Sequence, residues 1–439
     1  MNKRFAGNIP VMLILLISLL FAKLQFNKRF SSGTDICMNI CSDGRGFYAW
    51  LPAIFIYNDY TFSFFETVEL KAAPCGGAKG GCLQEYRSEI YGRNFNKYYP
   101  GASFMMLPFF TVAHFITKWF TNDPANGYST VYFIMMGFSG IFYYFLGMLF
   151  FLKVLGKIGL NTLQKSLTVL LVTFGSNIMY YAIDKPTYSH IYSFALIAAF
   201  IYYIFCLKER FSVKYLVAIS FLAGWIFIAR PVNIFIVIML PFILSDNFKS
   251  LLDSFKEKPG RYLFVLPGLV MPLILFSIYK IATGHFFIYS YGNEGFDFLH
   301  PYMLSFLFHY DNGLFLYTPL LLMPLLLLPV WYKPENKKMF IGILVILTII
   351  IYIYSSWWCW WFGYSFGSRN MLDFLPLFGI LTGLSLKQAK IRKYYFMIPV
   401  YCLCCGLTML LYNQKNHGYM NDIPITDYRA AIINGLGIK

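Results

Sequence analysis

GASFMMLPFFTVAHFITKWF, residues 101–120, is the stretch whose reading decides the architecture of this 439-residue chain. It is long enough to cross a bilayer, which takes about 20 apolar residues in a helix. Yet it begins behind Pro100 at Gly101 and carries His114 and Lys118. Eleven other apolar runs surround it, at 9–26, 128–152, 163–183, 190–207, 214–229, 231–245, 262–282, 314–331, 339–356, 370–386 and 395–412. The basic residues between these runs resolve the ambiguity. If 101–120 does not span and the N-terminus is cytoplasmic, five basic clusters fall inside. They are Lys153/Lys157/Lys165, Lys208/Arg210/Lys214, Lys249/Lys256/Lys258/Arg261, Lys333/Lys337/Lys338 and Lys387/Lys390/Arg392/Lys393. Cytoplasmic loops of membrane proteins collect Lys and Arg in this way. If 101–120 spans, every cluster inverts.

The sequence therefore predicts an all-α polytopic membrane protein with about eleven transmembrane helices in a single domain over 1–412. A long first periplasmic loop at 26–127 would bear juxtamembrane helices, 101–120 among them, and residues 413–439 would form a periplasmic tail. The location implied is a bacterial inner membrane, multi-pass, with the lipid bilayer as the first partner. Composition agrees: 58% of residues are hydrophobic and 13% charged, against about a quarter charged in soluble domains. The formal charge of +16 would point to nucleic acid in a soluble protein. Here the basic inner loops account for it, so no nucleic-acid partner is expected. The run 9–26 follows Met1-Asn2-Lys3-Arg4 like a signal peptide but lacks a small-x-small cleavage site, which predicts a retained signal anchor.

This topology sends the unusual residues outward, to 26–127, 184–189, the Arg230-Pro231 turn, 283–312 and 355–369. Cys37, Cys41, Cys75 and Cys82 share the first of these loops, an even number in an oxidising compartment. Cys75 and Cys82 would close a glycine-rich loop. Cys37 with Cys41 is a second pairing, and a metal site is the alternative. Cys206, Cys402, Cys404 and Cys405 fall in spans and are expected to pack as small apolar residues.

Four stretches carry groups suited to chemistry. The first is Asp43-Gly44-Arg45-Gly46-Phe47-Tyr48, where a carboxylate beside two glycines could approach a ligand closely. Asp43 suits a general base, and equally a turn former or helix N-cap. The second is Ser355 to Arg369, SSWWCWWFGYSFGSR. Its tryptophans, Trp360 and Trp361 included, suit an interfacial belt or stacking on sugar rings. Arg369, at membrane depth, requires an anionic partner, and a guanidinium matches phosphate through two parallel hydrogen bonds. The third comprises Asp184 to His190 and Arg230-Pro231; Arg230 is a second phosphate candidate, and His190 is a capping or packing histidine or a ligand contact. The fourth is Asn96-Lys97-Tyr98-Tyr99-Pro100-Gly101, whose lysine and tyrosines would lie at the membrane surface near Asp43. The loop 283–312 holds Glu294, Asp297, His300 and Asp311 without the spacing of a metal cage, and Asp311-Asn312-Gly313 has the composition of a plain turn. P-loop, dinucleotide and nucleophile-elbow motifs are absent, as is an inverted repeat.

With these residues in view, the chain resembles the membrane-embedded glycosyltransferases of the C superfold (GT-C), the group of protein O-mannosyltransferases, aminoarabinose transferases and oligosaccharyltransferases. The likeness rests on the first outer loop with Asp43, on Lys97-Tyr98-Tyr99-Pro100-Gly101 leading to Leu107-Pro108-Phe109-Phe110, and on Trp360 to Arg369. It implies inverting transfer of a sugar from a polyprenyl-phosphate donor to a hydroxyl of a lipid, glycan or protein acceptor. Asp43 matches the catalytic base of that family, with Asp35 in reserve. Arg369, Arg230 and Lys97 would hold the donor phosphate, and Tyr48, Tyr98, Tyr99, His190, Trp360 and Trp361 would complete the substrate contacts. The chain departs from the family in having Asp43-Gly44 in place of a paired Asp-Glu. It also has Trp-Trp-Cys-Trp-Trp where oligosaccharyltransferases have Trp-Trp-Asp-Tyr-Gly, which argues against asparagine-linked transfer. No cofactor and no obligatory divalent cation are expected. Two alternatives remain: a polysaccharide polymerase or ligase, whose main outer loop usually comes late in the chain, and a lipid-linked-sugar flippase or transporter, which should show broken spans and midplane charges.

Overall fold

Ser189–Glu209 is apolar on every face, without the polar stripe of a surface helix. In the computed structural model, which describes residues 3–30, 36–71, 85–363, 365–388, 395–416 and 425–437, this helix is the central post. It is 89% buried over its most apolar stretch, against 33–56% for the other long apolar helices. Thr130–Lys157 packs along one side of it and Val213–Ala229 along another, while Arg369–Phe374 crosses near its start. Lys3–Phe30 lies outside Thr130–Lys157 and turns Val11, Met12, Leu15, Leu16, Leu19 and Leu20 outward. An exposed apolar face of that extent is one that lipid covers.

The expected eleven spans are not found. Among the described residues, five helices are long and apolar enough to cross a membrane: Asn8–Arg29, Thr130–Lys157, Ser189–Glu209, Pro334–Ser355 and Met397–Lys415. A sixth is reached only if Pro231–Leu244 and Asp246–Glu257, bent by 105° at their junction, count as one. The cause is visible in the residues that break the other runs. Proline removes a backbone donor and clashes with the preceding turn, and Pro319, Pro324 and Pro329 divide 314–331 into four short pieces. Pro231 starts a 3₁₀ stretch to Ile238, and 3₁₀ turns around Pro259 and Pro267 precede Val270–Thr283. Gly175-Ser176-Asn177 separates Thr162–Phe174 from Ile178–Ile183. The run 370–386 opens as 3₁₀ and leaves a helix of 14 residues, Leu375–Gln388. At about 1.5 Å per residue such a helix covers about 21 Å, short of a hydrocarbon core about 30 Å thick. Gly101–Phe120 is one unbroken helix of 20 residues and is not among the five.

The polar segment before Gly101 is tied down in three places. A β-hairpin, Arg87–Ile90 with Arg93–Asn96, adds a small antiparallel sheet to the predicted all-helical fold. Its two turn residues, Tyr91 and Gly92, both have positive φ (52° and 73°), the turn that matches strand twist. Arg45 pairs with Glu69 at 2.8 Å, and Tyr86 Oη donates to the same carboxylate at 2.8 Å, all three buried. Asp184 receives Lys28, Arg29 (3.5 Å) and Tyr412 Oη (2.8 Å), which joins the first helix to Met397–Asn416. Cys37 and Cys41 are both disulfide-bonded. Cys75, Cys82 and the loop they were expected to close lie outside the described residues.

Candidate functional site

Ser42 sits at φ 53°, and this left-handed residue turns the chain abruptly into the Asp43–Pro52 helix. Asp43 is the first residue of that helix, where the unsatisfied N–H groups favour a carboxylate. It is not a cap: the capping position is Ser42, which makes no side-chain cap bond. The Asp43 carboxylate instead accepts from Arg369 Nη2 at 2.5 Å, across 326 residues of sequence. The neighbouring glycines serve packing more than ligand approach. A Cβ on Gly44 would collide with Thr187 Oγ1, and one on Gly46 with the ring of Tyr98.

Around this pair opens a cavity of about 830 Å³. It gathers seven of the residues singled out from sequence: Asp43, Lys97, Tyr98, Tyr99, His190, Arg230 and Arg369. The hairpin delivers three of them. Asn96 Nδ2 donates to the Gly46 carbonyl at 2.7 Å and its Oδ1 accepts from Tyr98 N at 2.9 Å, so Lys97 to Tyr99 are pinned against the Asp43 helix. Three residues do not join. Tyr48 is fully buried, bonds the Gly127 carbonyl and packs on Phe110 and Tyr128. Trp360 is buried against Tyr302 and His309, and Trp361 does not line the cavity. Asp35 lies outside the described residues.

Each cation of the cavity is matched by a carboxylate. Burial pushes the Asp43 carboxyl upward, but the Arg369 guanidinium, a bond with Tyr98 and the charge of Lys97 outweigh it, leaving Asp43 below its ordinary value. Arg369 is also flanked by the rings of Tyr188 and Phe362, at 5.3 and 5.6 Å. Burial opposes its charge, but Asp43 together with Tyr188, Tyr181 and Tyr98 outweighs it and raises its pKa. Lys97 pairs with Glu294 at 2.8 Å, and Trp358 Nε1 donates to the other oxygen of that carboxylate at 3.3 Å.

Arg230 belongs to a larger network whose hub the sequence did not point to. Asp373, fully buried, meets His190 Nδ1 at 2.9 Å, accepts from Asn233 Nδ2 at 2.7 Å and stands 3.1 Å from Arg230 Nε. Arg230 donates onward to Ser189 Oγ (3.2 Å), Tyr354 Oη (3.2 Å) and Asn370 Oδ1 (2.6 Å). The network fixes the imidazole of His190 and the plane of the guanidinium, as a ligand-binding pair requires. Three N–H groups on lining residues still have no hydrogen-bond partner among the described residues: Arg230 Nε, which is close to Asp373 but not aligned with it, Arg369 Nε and Asn370 Nδ2. Unmet buried donors are uncommon and costly.

The aromatic wall is set by Asn312. It sits at φ 60°, its Nδ2 donates to the carbonyls of Trp361 (3.0 Å) and Gly363 (2.8 Å), and its Oδ1 accepts from Gly367 N at 3.2 Å. Asp311-Asn312-Gly313 is therefore a brace for the tryptophan loop as well as a turn. With the loop so held, Trp357, Trp358 and Phe362 face the cavity in place of Trp360 and Trp361. Sequence reasoning also missed Asp373, Asn370, Tyr354, Tyr291, Tyr188 and the lining role of Glu294. Asp373 did leave a signal: an ionisable residue inside an apolar run is functional by default. Among the described residues no group of three or more His, Cys, Asp or Glu is placed to hold a metal ion.

The arrangement suits a ligand with an anionic head and an apolar or aromatic-stacking body, with a carboxylate beside the anion. No protein-family model matches the chain, and no curated protein or solved structure matches it either.

Proposed function

We propose that the chain is a glycosyltransferase of the GT-C kind, moving a sugar from a polyprenyl-phosphate carrier to an acceptor hydroxyl on the outer face of a bacterial inner membrane, with inversion. The observation that carries this reading is the meeting of Asp43 and Arg369 inside a cavity that also holds Arg230 and Lys97. Inverting transfer needs a base for the acceptor hydroxyl and cations for the departing phosphate, and the cavity holds groups of both kinds. The acceptor oxygen forms its bond to the anomeric carbon while Asp43 takes the hydroxyl proton. The bond from that carbon to the phosphate oxygen breaks, its electron pair leaves with the phosphate, and Arg369 and Arg230 stabilise the charge released.

Arg369 links the two halves. Without donor it is held by Asp43, and its salt bridge keeps the carboxylate a weak base. A phosphate arriving at the guanidinium competes for its N–H groups and returns basicity to Asp43, so the base would strengthen only once the donor is bound. Lys97 and the tyrosines Tyr98 and Tyr99 border the same space, and His190, oriented by Asp373, can serve as a polar contact for the sugar.

The test is transfer in proteoliposomes supplied with radiolabelled polyprenyl-phosphate sugars and a cell-envelope acceptor extract. Wild type should label an acceptor, and Asp43→Asn should lose about 100-fold or more of the rate while still binding donor. Equal transfer by both removes Asp43 from the mechanism. Label that crosses the bilayer without transfer would instead favour a flippase.

A further inference from the structure

A second, more open cavity of about 540 Å³ adjoins the first and shares Tyr291, Glu294 and Trp358 with it. Its own contributions are Ser88 and Glu89 from the β-hairpin and Gly292-Asn293 from the facing loop. The two cavities differ in charge. The inner one is lined by Lys97, Arg230 and Arg369 together with Asp43 and Glu294, whereas the outer one is lined by two carboxylates and neither Lys nor Arg. Two of the three cations nearby in sequence are already paired with carboxylates. Lys97 is paired with Glu294, Arg87 with Glu85 and Glu66, and Arg93 donates to the Ala282 carbonyl.

Trp358 is 55% exposed, yet its indole N–H is anchored on Glu294. A half-exposed indole held at its polar edge presents its ring to whatever enters. Tyr289, which lines the inner cavity and not the outer one, braces Glu294 by donating its Oη to the Glu294 carbonyl at 2.6 Å. The flat indole face beside carboxylate and amide acceptors matches a pyranose, which has an apolar C–H face and a rim of hydroxyl donors. An anionic ligand would meet the Glu89 carboxylate, while Glu294 is already offset by Lys97, and a like charge at a site acts against the wrong partner. An amino sugar would gain from Glu89 and from the indole face.

We propose that this outer cavity is a saccharide-binding subsite for the acceptor, selective for neutral or amino sugars over uronic acids. Its assignment as the acceptor end rests on the glycosyltransferase reading; its affinity for saccharide does not. The polyprenyl phosphate would enter the inner, cationic cavity and the acceptor the outer, acidic one, with Tyr291, Glu294 and Trp358 at the boundary.

Calorimetric titration of the full chain in nanodiscs tests this, with a glucosamine disaccharide, its N-acetylated form and digalacturonate as probes, and undecaprenyl phosphate titrated separately. The expected result is binding of the first two but not of digalacturonate, a loss of tenfold or more in Trp358→Ala, substantial recovery in Trp358→Phe, and a weaker preference for the free amine in Glu89→Gln. No saccharide binding by wild type, binding unchanged in Trp358→Ala, or equal binding of digalacturonate overturns the subsite, and the tryptophan is then an interfacial anchor. Saccharide bound as expected without binding of undecaprenyl phosphate supports the subsite and counts against the glycosyltransferase. The converse result overturns the subsite and leaves the glycosyltransferase standing.

Discussion

Replacing Asp43 by Asn should destabilise the protein far more than it would in the absence of Arg369. The two groups meet at 2.5 Å, with side-chain exposures of 11% and 13%. Removing one member of a buried ion pair leaves the other charge desolvated, at a cost of about 3–5 kcal/mol. Because this pair borders a cavity that water enters, the lower end, about 3 kcal/mol, is expected for Asp43→Asn and for Arg369→Gln alone. In the double variant both charges are gone, so its loss should fall short of the sum by about 2–3 kcal/mol. The coupling should also depend on pH with a definite sign. Arg369 holds the carboxyl below its ordinary value of 3.8 despite burial. The stabilisation is then complete above that value and is lost as pH falls through the folded one. Unfolding by SDS titration in mixed micelles, at neutral pH and again near pH 3, measures all four proteins of the cycle. Additivity within about 0.5 kcal/mol at neutral pH, or a penalty for Asp43→Asn that grows on acidification, would refute the reasoning.

Asn312→Ala removes three hydrogen bonds to the tryptophan loop and places alanine at φ 60°; the expected loss is about 2–4 kcal/mol. Asn312→Gly relieves the backbone but not the lost bonds, so SDS unfolding should place it between alanine and wild type, and equal stability of all three would dismiss the brace. Lys185, half-buried between Ile178–Ile183 and Ser189–Glu209, is brought down to about 8 by burial and the nearby Arg29 and Lys415 against the pull of Asp184. Between pH 8 and its ordinary 10.5 the folded protein holds less proton there than the unfolded chain, so stability should rise with pH across that window. Unfolding curves should show this rise in wild type and flatten it in Lys185→Met; an identical slope in both would remove Lys185 as the cause.

The residues that could be found from sequence were those out of keeping with their surroundings. Arg369 and Arg230 interrupt apolar runs, and Asp43 and Lys97 lie among aromatics and glycines, so each stood out without a partner being known. Asp373 was harder because it lies within 370–386, where apolar neighbours suggest a continuous span. Its importance comes from the 3₁₀ turn Arg369–Phe374, which turns it toward His190, Asn233 and Arg230. The choice among the tryptophans was not decidable from spacing. Which ring faces the cavity depends on how the loop is pinned by Asn312, a residue whose composition context suggested only a turn.

The sequence by itself determined that this chain is helical and apolar enough for a bilayer, because composition and run length report directly on the solvent a segment tolerates. It also marked most of the charged groups of the site, since an isolated charge in an apolar chain is costly unless it has a purpose. Hydrophobicity is blind to the continuity of a helix, so eleven runs were read where, among the described residues, five helices, or six, are long enough to cross. Only the tertiary structure decided the pairings: Asp43 with Arg369, Lys97 with Glu294, and Arg230 with Asp373. Those partners are separated by 326, 197 and, for Arg230 and Asn370 on the same turn as Asp373, 140 residues. Contacts over such distances are set by how the helices pack about Ser189–Glu209, and no local pattern encodes that.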